Sequence, residues 1–242
     1  MLARKNFLVW ERSGRRNRQS VYMRRPLLAL FSMGIAIALL MSACASDTSS
    51  SPTTSAPNAP RGYKPTPVRN TDTVSLPDYA TDSGGVAFPF KAASGNLLVV
   101  SFGYLSCPDI CPVTMADIAA GLEELGPTVV QQVEIAFVTV DIERDTGPRM
   151  VDYLTHFFPN STIHALRAAD AFQLTAVTSQ FGAQWQVDPH EPGATSYGVA
   201  HSGVTYVVDD RGQLVWEWPF GTTGPEVAAT LNQLMDTVYP TS

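Results

Sequence analysis

Basic side chains are scarce in most of this chain. Of its 16 Lys and Arg residues, eight lie before Cys44, together with a single acidic residue, Glu11. From Cys44 onward the chain carries 8 basic and 21 acidic residues, a formal net charge of −13 with His neutral. Nucleic acids and anionic lipids are bound through basic patches. The composition therefore argues against both as partners and fits a cationic or metal-carrying partner better.

Cysteine is also rare, with 3 in 242 residues, and the first of them closes an apolar run. Residues 27–43 are almost wholly apolar, follow Arg24 and Arg25, and end in small residues before Cys44. This arrangement is typical of a secretory signal. The junction resembles that of bacterial lipoproteins, in which the cysteine is lipidated and becomes the mature N-terminus. An uncleaved membrane anchor is the alternative, although 17 residues are short for a span of about 20.

We therefore expect residues 1–44 to be a signal peptide with cleavage before Cys44, and Met23 to be an alternative start. The chain is expected on the extracytoplasmic face of a bacterial cell membrane, anchored through a lipid on Cys44. Residues 45–70 are rich in Ser, Thr, Pro and Ala and nearly lack large apolar side chains, which predicts a disordered tether. Residues 71–242 are enough for one well-packed domain.

The domain alternates apolar runs with helical patterns. Residues 97–102 and 133–140 lack period-2 polarity, as expected of central strands covered on both faces. Apolar residues recur at helical spacing between them, which predicts a right-handed βαβ crossover. The predicted strands are 97–102, 133–140, 162–166, 203–208 and 214–218, and the predicted helices are 113–125, 148–158, 170–181 and 225–239. This is the order of the thioredoxin-like fold, an α/β three-layer sandwich with a central mixed β-sheet and a C-terminal β-hairpin and helix.

The other two cysteines, Cys107 and Cys111, lie in SFGYLSCPDICPVTM (101–115), between the first core strand and the next helix. A helix N-terminus offers unpaired N–H groups and a partial positive charge, which favour thiolate over thiol. Residues four apart project from one helical face, so both sulfurs can reach a common site or form a disulfide. A purely structural disulfide is disfavoured because so short a loop restricts the unfolded chain little. Location alone leaves redox and metal chemistry open.

His201 is the third candidate site residue. In thioredoxin-like proteins the loop before the next-to-last core strand faces the cysteines and commonly presents a cis-proline. The run YGVAHSGVTYVV (197–208) has no proline and offers an imidazole at this place. A lone histidine is structural by default, and this is the interpretation for His156, His164 and His190.

Four further residues were weighed as site contacts. Met115 follows the phase of the core-facing helix positions, so core packing is preferred over metal contact. Asp145 or Thr146 is expected to cap the helix that opens at Pro148, with capping preferred over a site contact for Asp145. Asp141 is left open between a strand-end turn and a site contact. Asp109 either raises the pKa of the neighbouring thiols by repulsion or faces solvent.

These motifs resemble the SCO/SenC family of copper-binding, thioredoxin-like proteins. The resemblance is carried by FGYLSCPDICP (102–112), VTVDIERDT (138–146) and YGVAHSGVTYVVDDRG (197–212), which come in the family's order and span roughly residues 70 to 240. Ile142 replaces the family's proline in the second motif. Ala200 replaces the acid that commonly precedes the histidine, which removes a possible hydrogen-bond partner of a ligand.

The resemblance implies that Cys107, Cys111 and His201 bind copper, as Cu(I) or, with a fourth ligand such as water, as Cu(II). It implies a membrane-tethered metallochaperone rather than an enzyme, which delivers copper to the dinuclear copper centre of cytochrome c oxidase. The expected partners are the copper-site subunit of the oxidase and other copper chaperones or thiol reductants. The membrane is expected to be contacted through the lipid anchor.

Alternatives remain for both the metal and the activity. Two Cys, one His and one open position are also a catalytic zinc pattern. The leading alternative function is a thiol–disulfide reductase that keeps the oxidase cysteines reduced, with Cys107 and Cys111 as a redox-active pair that attacks and resolves a mixed disulfide. His201 discriminates between the two, because a reductase does not need it. Peroxide removal is a third reading, for which the sequence contains no evident pocket motif.

Overall fold

The computed structural model describes residues 59–81 and 85–240. The predicted signal peptide, the predicted lipidation site Cys44 and most of the predicted tether lie outside the described residues. Among the residues described, no helix has both the length and the hydropathy that crossing a membrane requires.

The domain is built on a seven-stranded mixed sheet. Its strand order is β2-β1-β5-β4-β3-β8-β9, and β6 and β7 form a separate two-stranded ribbon. The neighbours β3, β4 and β5 are parallel, whereas β8, β9, β1 and β2 join antiparallel. The strands are β1 Ser75–Asp78, β2 Val86–Pro89, β3 Leu97–Gly103, β4 Val133–Thr139, β5 Thr162–Leu166, β6 Trp185–Val187, β7 Val199–His201, β8 Thr205–Val208 and β9 Leu214–Trp218. The helices are α1 Ile110–Glu123, α2 Pro127–Val130, α3 Gly147–Phe157, α4 Ala171–Phe181 and α5 Gly224–Val238.

Alternate side chains of the central strands enter two separate cores. Leu97 and Val99 of β3 belong to a cluster with apolar residues of α1, α3 and α5. Leu98 and Val100 belong to a cluster on the other face with α4 and β1. Because successive strand residues point to opposite faces, a strand buried at every position needs helices on both sides. The structure thus confirms the three-layer α/β sandwich and the fully covered central strands.

The elements with local sequence signals lie where they are predicted. Strand β5 matches residue for residue, and α4 begins after Asp170, whose side chain accepts a hydrogen bond from the Gln173 N–H. Gly182 ends α4 in the left-handed conformation, at a φ of 69°. Helix α1 differs, because it begins at Ile110 rather than at residue 113. Cys111 therefore lies in its first turn.

Residues 59–70, which composition assigned to the tether, are packed against the sheet. The Tyr63 N–H donates to the Glu217 carbonyl at 3.1 Å and the Glu217 N–H donates back at 2.9 Å. Arg69 forms an ion pair with the Glu217 carboxylate, and its carbonyl accepts from the Leu214 N–H. The predicted disorder is therefore wrong for residues 59–70, because backbone pairing to β9 compensates for their lack of large apolar side chains.

Candidate metal centre

The two cysteines stand on either side of the start of α1. Cys107 is partly exposed in the loop after β3, and Cys111 is buried in the first helical turn. Cys111 packs directly over the backbone of Gly103, where a Cβ would lie 2.7 Å from its Sγ and 2.9 Å from the Phe137 ring. Contacts this short are not tolerated in a packed interior. Gly103 therefore gives Cys111 the space to turn inward.

The two sulfurs share the helix N-terminus. The Cys111 N–H donates to Cys107 Sγ at 3.4 Å. The Cys107 N–H donates to the Tyr104 carbonyl at 3.1 Å, which closes the turn from Tyr104 to Cys107. Both thiols are free. Burial raises the pKa of the Cys111 thiol, a shift that repulsion from Cys107 increases. Cys111 therefore keeps its proton until a cation replaces it.

His201 brings its imidazole to the same place from the end of β7. Its Nε2 lies 3.3 Å from Cys111 Sγ, and its Nδ1 lies 3.0 Å from the Ser202 carbonyl oxygen. Since a carbonyl can only accept, Nδ1 carries the ring proton and Nε2 keeps a free lone pair. Burial lowers the pKa of His201, although the bond to Ser202 opposes the shift. The imidazole is therefore neutral and directed at the sulfur.

The three ligand atoms converge as a metal centre requires. The sulfurs of Cys107 and Cys111 and a ring nitrogen of His201 all lie within 4.8 Å of one another. Ligands about 2.3 Å from a shared ion lie about 4 Å apart in a trigonal arrangement. Two sulfurs and one imidazole suit Cu(I), and they also satisfy three of the four positions of a zinc site. The cluster can hold a soft cation with little rearrangement.

The other histidines and the soft sulfur lie elsewhere. Met115 is only 1% exposed and belongs to the α1 core cluster. His156 is exposed on α3 beside Phe157. His164 lies between two buried carboxylates, and His190 pairs with a carboxylate of the 141–145 segment. Within the part of the chain that the structure describes, only one group of Cys, His, Asp or Glu side chains has metal-binding geometry.

The acidic residues near the site have roles that local reasoning did not predict. Asp109 occupies the N-cap position of α1 but makes no capping hydrogen bond with its side chain, and it is exposed. Of the two predicted capping residues of α3, Thr146 occupies the N-cap position, so the preference for capping by Asp145 is wrong. The Asp145 carboxylate instead accepts from the Leu105 N–H at 3.0 Å and from the Thr139 hydroxyl at 2.6 Å. It therefore contacts the loop that carries the cysteines.

Comparison with known proteins gives this arrangement a family. A family model described as SCO1/SenC matches residues 70–236. The chain belongs to the SCO1/SenC family. A SCO2-like protein of Rickettsia felis is 27% identical over 146 residues, which cover 60% of this chain and 69% of that protein. A SCO2-like protein of Rickettsia conorii is 30% identical over 132 residues, which cover 54% and 62%. Mitochondrial SCO1 of Saccharomyces cerevisiae is 26% identical over 140 residues, or 57% and 46%.

Solved structures of SCO1/SenC proteins show the same fold. Copper-bound ScoI of Bradyrhizobium japonicum superposes with a TM-score of 0.54 at 26% identity, covering 72% of this chain and 98% of that one. Copper-bound yeast Sco1 gives a TM-score of 0.58 at 21% identity, covering 76% and 91%. Apo Sco1 of Thermus thermophilus gives 0.55 at 23% identity, covering 73% and 94%. These similarities confirm the thioredoxin-like α/β fold.

Proposed function

We propose that this protein is a copper-binding chaperone, tethered at the extracytoplasmic face of the membrane, that delivers copper to the dinuclear centre of cytochrome c oxidase. The observation that carries the proposal is the convergence of two free thiols and a neutral imidazole in a SCO1/SenC domain. Copper-bound structures of similar proteins support the choice of metal. A plain thiol oxidoreductase has no use for the third ligand.

The proposed chemistry follows from the exposure of the three ligands. Cys107 is the more exposed sulfur, so an incoming copper ion reaches it before the buried Cys111. Capture by Cys111 requires loss of its thiol proton, which burial otherwise retains. Nε2 of His201 needs no proton transfer, because its lone pair is already free. Delivery also begins at Cys107, since a partner's sulfur can reach and displace the more exposed ligand first.

The anchoring and the target are part of the same proposal. A lipid on Cys44 would keep the domain close to a membrane-bound oxidase at a raised effective concentration. The formal charge of −13 from Cys44 onward would favour approach to a positively charged or metal-loaded partner. The cysteine ligands of the oxidase copper site are the expected acceptors.

Titration of the reduced protein with Cu(I), in competition with a chelator, tests the site. One copper ion should bind per chain. Cys107→Ser, Cys111→Ser and His201→Ala should each weaken binding by more than the 10–100-fold typical of residues that only support a ligand. His156→Ala is the matched control, because His156 is exposed and outside the cluster. Unchanged affinity in the first three variants would overturn the assignment.

Oxidase assembly tests the delivery. Cells that carry Cys107→Ser should make an oxidase that lacks the optical absorption of its dinuclear copper centre, while the haem absorption remains. Metal analysis of lipid-anchored and Cys44→Ser forms would show whether the anchor matters for loading. Normal copper content in the Cys107→Ser cells would contradict the proposal.

A thiol–disulfide reductase is the second candidate, favoured by the short contact between Cys107 Sγ and the Cys111 N–H. The partly exposed Cys107 would attack a disulfide, and Cys111 would resolve the mixed disulfide. This function predicts a reduction potential near that of thioredoxin, about −270 mV. It also predicts that His201→Ala supports full oxidase assembly, whereas the chaperone proposal predicts failure.

A further inference from the structure

The segment Asp141–Asp145, here called the ERD turn, follows β4 at the end of the sheet where the metal ligands lie. Strand β4 pairs with β3 up to Gly103, and the Val140 N–H donates to the Gly103 carbonyl at 2.8 Å. The ERD turn therefore begins beside the cysteine loop, residues 104–109. The histidine loop, residues 188–198, leads into β7, which ends at His201. The relative position of His201 and the cysteines depends on how these two loops are held together.

The ERD turn holds the end of the histidine loop through Tyr197. The Tyr197 hydroxyl donates to Asp141 Oδ1 at 2.6 Å, and Arg144 Nε donates to the other oxygen of the same carboxylate. The Arg144 guanidinium lies 3.7 Å from the centre of the Tyr197 ring and donates to the carbonyl oxygens of Thr195 and Tyr197 at 3.4 Å. A cation over an aromatic face and a bond to a buried carboxylate both restrict a side chain. Tyr197 is therefore fixed four residues before His201.

The other face of Tyr197 is covered by His190 of the histidine loop, which the ERD turn contacts through Glu143. The His190 ring stacks on Tyr197 with centroids 3.7 Å apart and planes 9° apart, and its Nε2 lies 3.0 Å from Glu143 Oε2. Two groups at the same short distance cannot share one face of a ring, so Arg144 and His190 enclose it. Burial and the bond to Asp141 raise the pKa of Tyr197 to about 12. The hydroxyl therefore stays protonated and continues to donate.

The ERD turn also holds the cysteine loop. Asp145 is fully buried and accepts from the Leu105 N–H, two residues before Cys107. The Arg144 guanidinium lies 5.9 Å from the centre of the Tyr104 ring. Tyr104 in turn packs edge-on against the imidazole of His201, with centroids 5.9 Å apart. Two neighbouring residues of one turn thus contact the loop that carries Cys107 and leads to Cys111 in α1.

The turn is itself anchored from the sheet. Arg167, just beyond β5, donates to the Ile142 carbonyl at 2.6 Å and to the Asp145 carbonyl at 2.9 Å. The Asp145 N–H donates to the Asp141 carbonyl at 3.0 Å. These bonds hold both ends of the ERD turn against β5, so that its side chains act from a rigid base.

We infer that the ERD turn sets the position of His201 relative to the two cysteines, with Arg144 as the positioning residue that acts on the imidazole. The inference rests on the proposed metal site and assigns the second sequence motif a role in it. Ligands on separate loops lose affinity when their relative position must be ordered at each binding event. Arg144 removes that freedom by contacting Tyr197 before the histidine and Tyr104 against it.

The test is a double-mutant cycle on Cu(I) affinity. Arg144→Met should lower the affinity of the wild-type protein about 100-fold, the upper range for a residue that orients a ligand. In a His201→Ala background, Arg144→Met should have no further effect, because there is no imidazole left to position. Arg211→Met is the matched control, since Arg211 forms a similar ion pair with Asp209 at the distant β8–β9 turn. That variant should bind copper as the wild type does.

The number of nitrogen and sulfur ligands on the bound copper tests the positioning role directly, because a purely structural role of Arg144 would leave that number unchanged. X-ray absorption of the copper-loaded protein should show two sulfurs and one nitrogen in the wild type, and loss of the nitrogen in Arg144→Met. Tyr197→Phe keeps the stacked ring and should retain the nitrogen, whereas Tyr197→Leu should lose it. If Arg144→Met fails to fold, the comparison of the two Tyr197 variants decides the matter.

The outcomes separate this inference from the proposed function. Equal losses from Arg144→Met with and without His201 would overturn the inference, because the arginine would then act on stability alone. Retention of the nitrogen ligand in both Arg144→Met and Tyr197→Leu would also overturn it. If the wild-type protein bound no copper, the proposed function would fail first.

Discussion

Two histidines of this domain, His164 buried and His201 half-buried, differ in the features that decide what an imidazole can do. His164 lies between Asp78, at 2.8 Å from its Nδ1, and Glu134, at 3.2 Å from its Nε2. His201 has one hydrogen-bond acceptor, the Ser202 carbonyl, and its other nitrogen faces a sulfur. Burial alone would lower both pKa values. The two carboxylates reverse that shift and raise the pKa of His164, whereas that of His201 stays lowered.

The difference shows how one residue type serves as a structural ion in one place and as a candidate ligand in another. A doubly hydrogen-bonded imidazolium has no lone pair to offer, and its charge joins strands β1, β4 and β5 through Asp78, Glu134 and His164 itself. A neutral imidazole oriented by a carbonyl keeps its lone pair. The lack of a carboxylate beside His201 is therefore suited to a ligand that must stay uncharged.

Removal of each imidazole should give the largest difference between the two histidines, both in the free energy of unfolding and in copper binding. His164→Leu leaves two buried carboxylates without their cation, and loss of one partner of a buried ion pair costs about 3–5 kcal/mol. His201→Leu removes no ion pair and should change the unfolding free energy by less than about 1 kcal/mol. Urea unfolding of the metal-free variants measures both. Copper affinity should show the reverse order: it should fall in His201→Leu and stay unchanged in folded His164→Leu. Equal losses of stability in the two variants would contradict the assignment of His164 as a structural ion and His201 as a ligand.

Substitution of Gly103 should perturb the candidate metal centre through Cys111, without changing either histidine. Gly103→Ala places a methyl group against Cys111 Sγ and the Phe137 ring, and overpacking of this kind costs about 1–3 kcal/mol. Cys111 should be displaced, so Cu(I) affinity should fall as well. Gly126→Ala is the control, because a Cβ there meets no atom within 4 Å. Normal copper affinity in Gly103→Ala would show that Cys111 does not need its present position.

The pH dependence of stability should have opposite signs for the two histidines. The raised pKa of His164 gives stability that is present below the unfolded value near 6.5 and is lost as pH rises through the folded pKa. The lowered pKa of His201 means that the unfolded state takes up a proton first, so stability falls as pH drops below 6.5. One proton contributes a slope of at most about 1.4 kcal/mol per pH unit.

Urea unfolding between pH 5 and 9 separates these slopes. His164→Gln should remove the loss on the alkaline side, and His201→Gln should remove part of the loss on the acidic side. Asp78 and Glu134 also have lowered pKa values: burial raises them, but the bonds from His164, together with those from backbone N–H groups and the Asn96 amide, outweigh it. Their contribution is lost at lower pH, below their unfolded values of 3.8 and 4.5. An unchanged alkaline slope in His164→Gln would contradict a charged imidazole at that position.

Elements with strong local signals were predictable, and those held by distant partners were not. The apolar runs of β3 and β4 and the cap and stop of α4 are encoded in neighbouring residues. Strands β1 and β2 have four residues each, and β1 contains Pro77, which weakens any strand pattern. They exist because they pair with each other and with β5. Ribbon β6–β7, with three residues in each strand, was missed for the same reason.

The metal site likewise has features that the sequence predicts and contacts that it does not predict. The spacing of Cys107 and Cys111 is visible in the sequence, and the fold order predicted that His201 faces them. The partner of Asp145 was not predictable, because the Leu105 N–H is 40 residues away and a helix cap three residues away is the stronger local expectation. Arg144 and Tyr197 each belong to one of the family motifs, but the sequence predicted no role for either residue. Their contact depends on how β4 and the histidine loop meet in three dimensions.

The smallest effect is expected where the sequence departs from its family. Ala200 is exposed in β7, next to His201, and stands where an acid is common. The His201 Nδ1–H already donates to the Ser202 carbonyl, so a new carboxylate would compete for a proton that has a partner. Ala200→Asp should therefore change Cu(I) affinity by less than about tenfold, below the usual range for a residue that orients a ligand. Ala200→Asn is the uncharged control, and both are measured by chelator competition. If Ala200→Asp alone raised Cu(I) affinity by well over tenfold, His201 would benefit from a carboxylate partner. The contrast between His164 and His201 would then come from the acid that this chain lacks at position 200, and not from a requirement of the metal site.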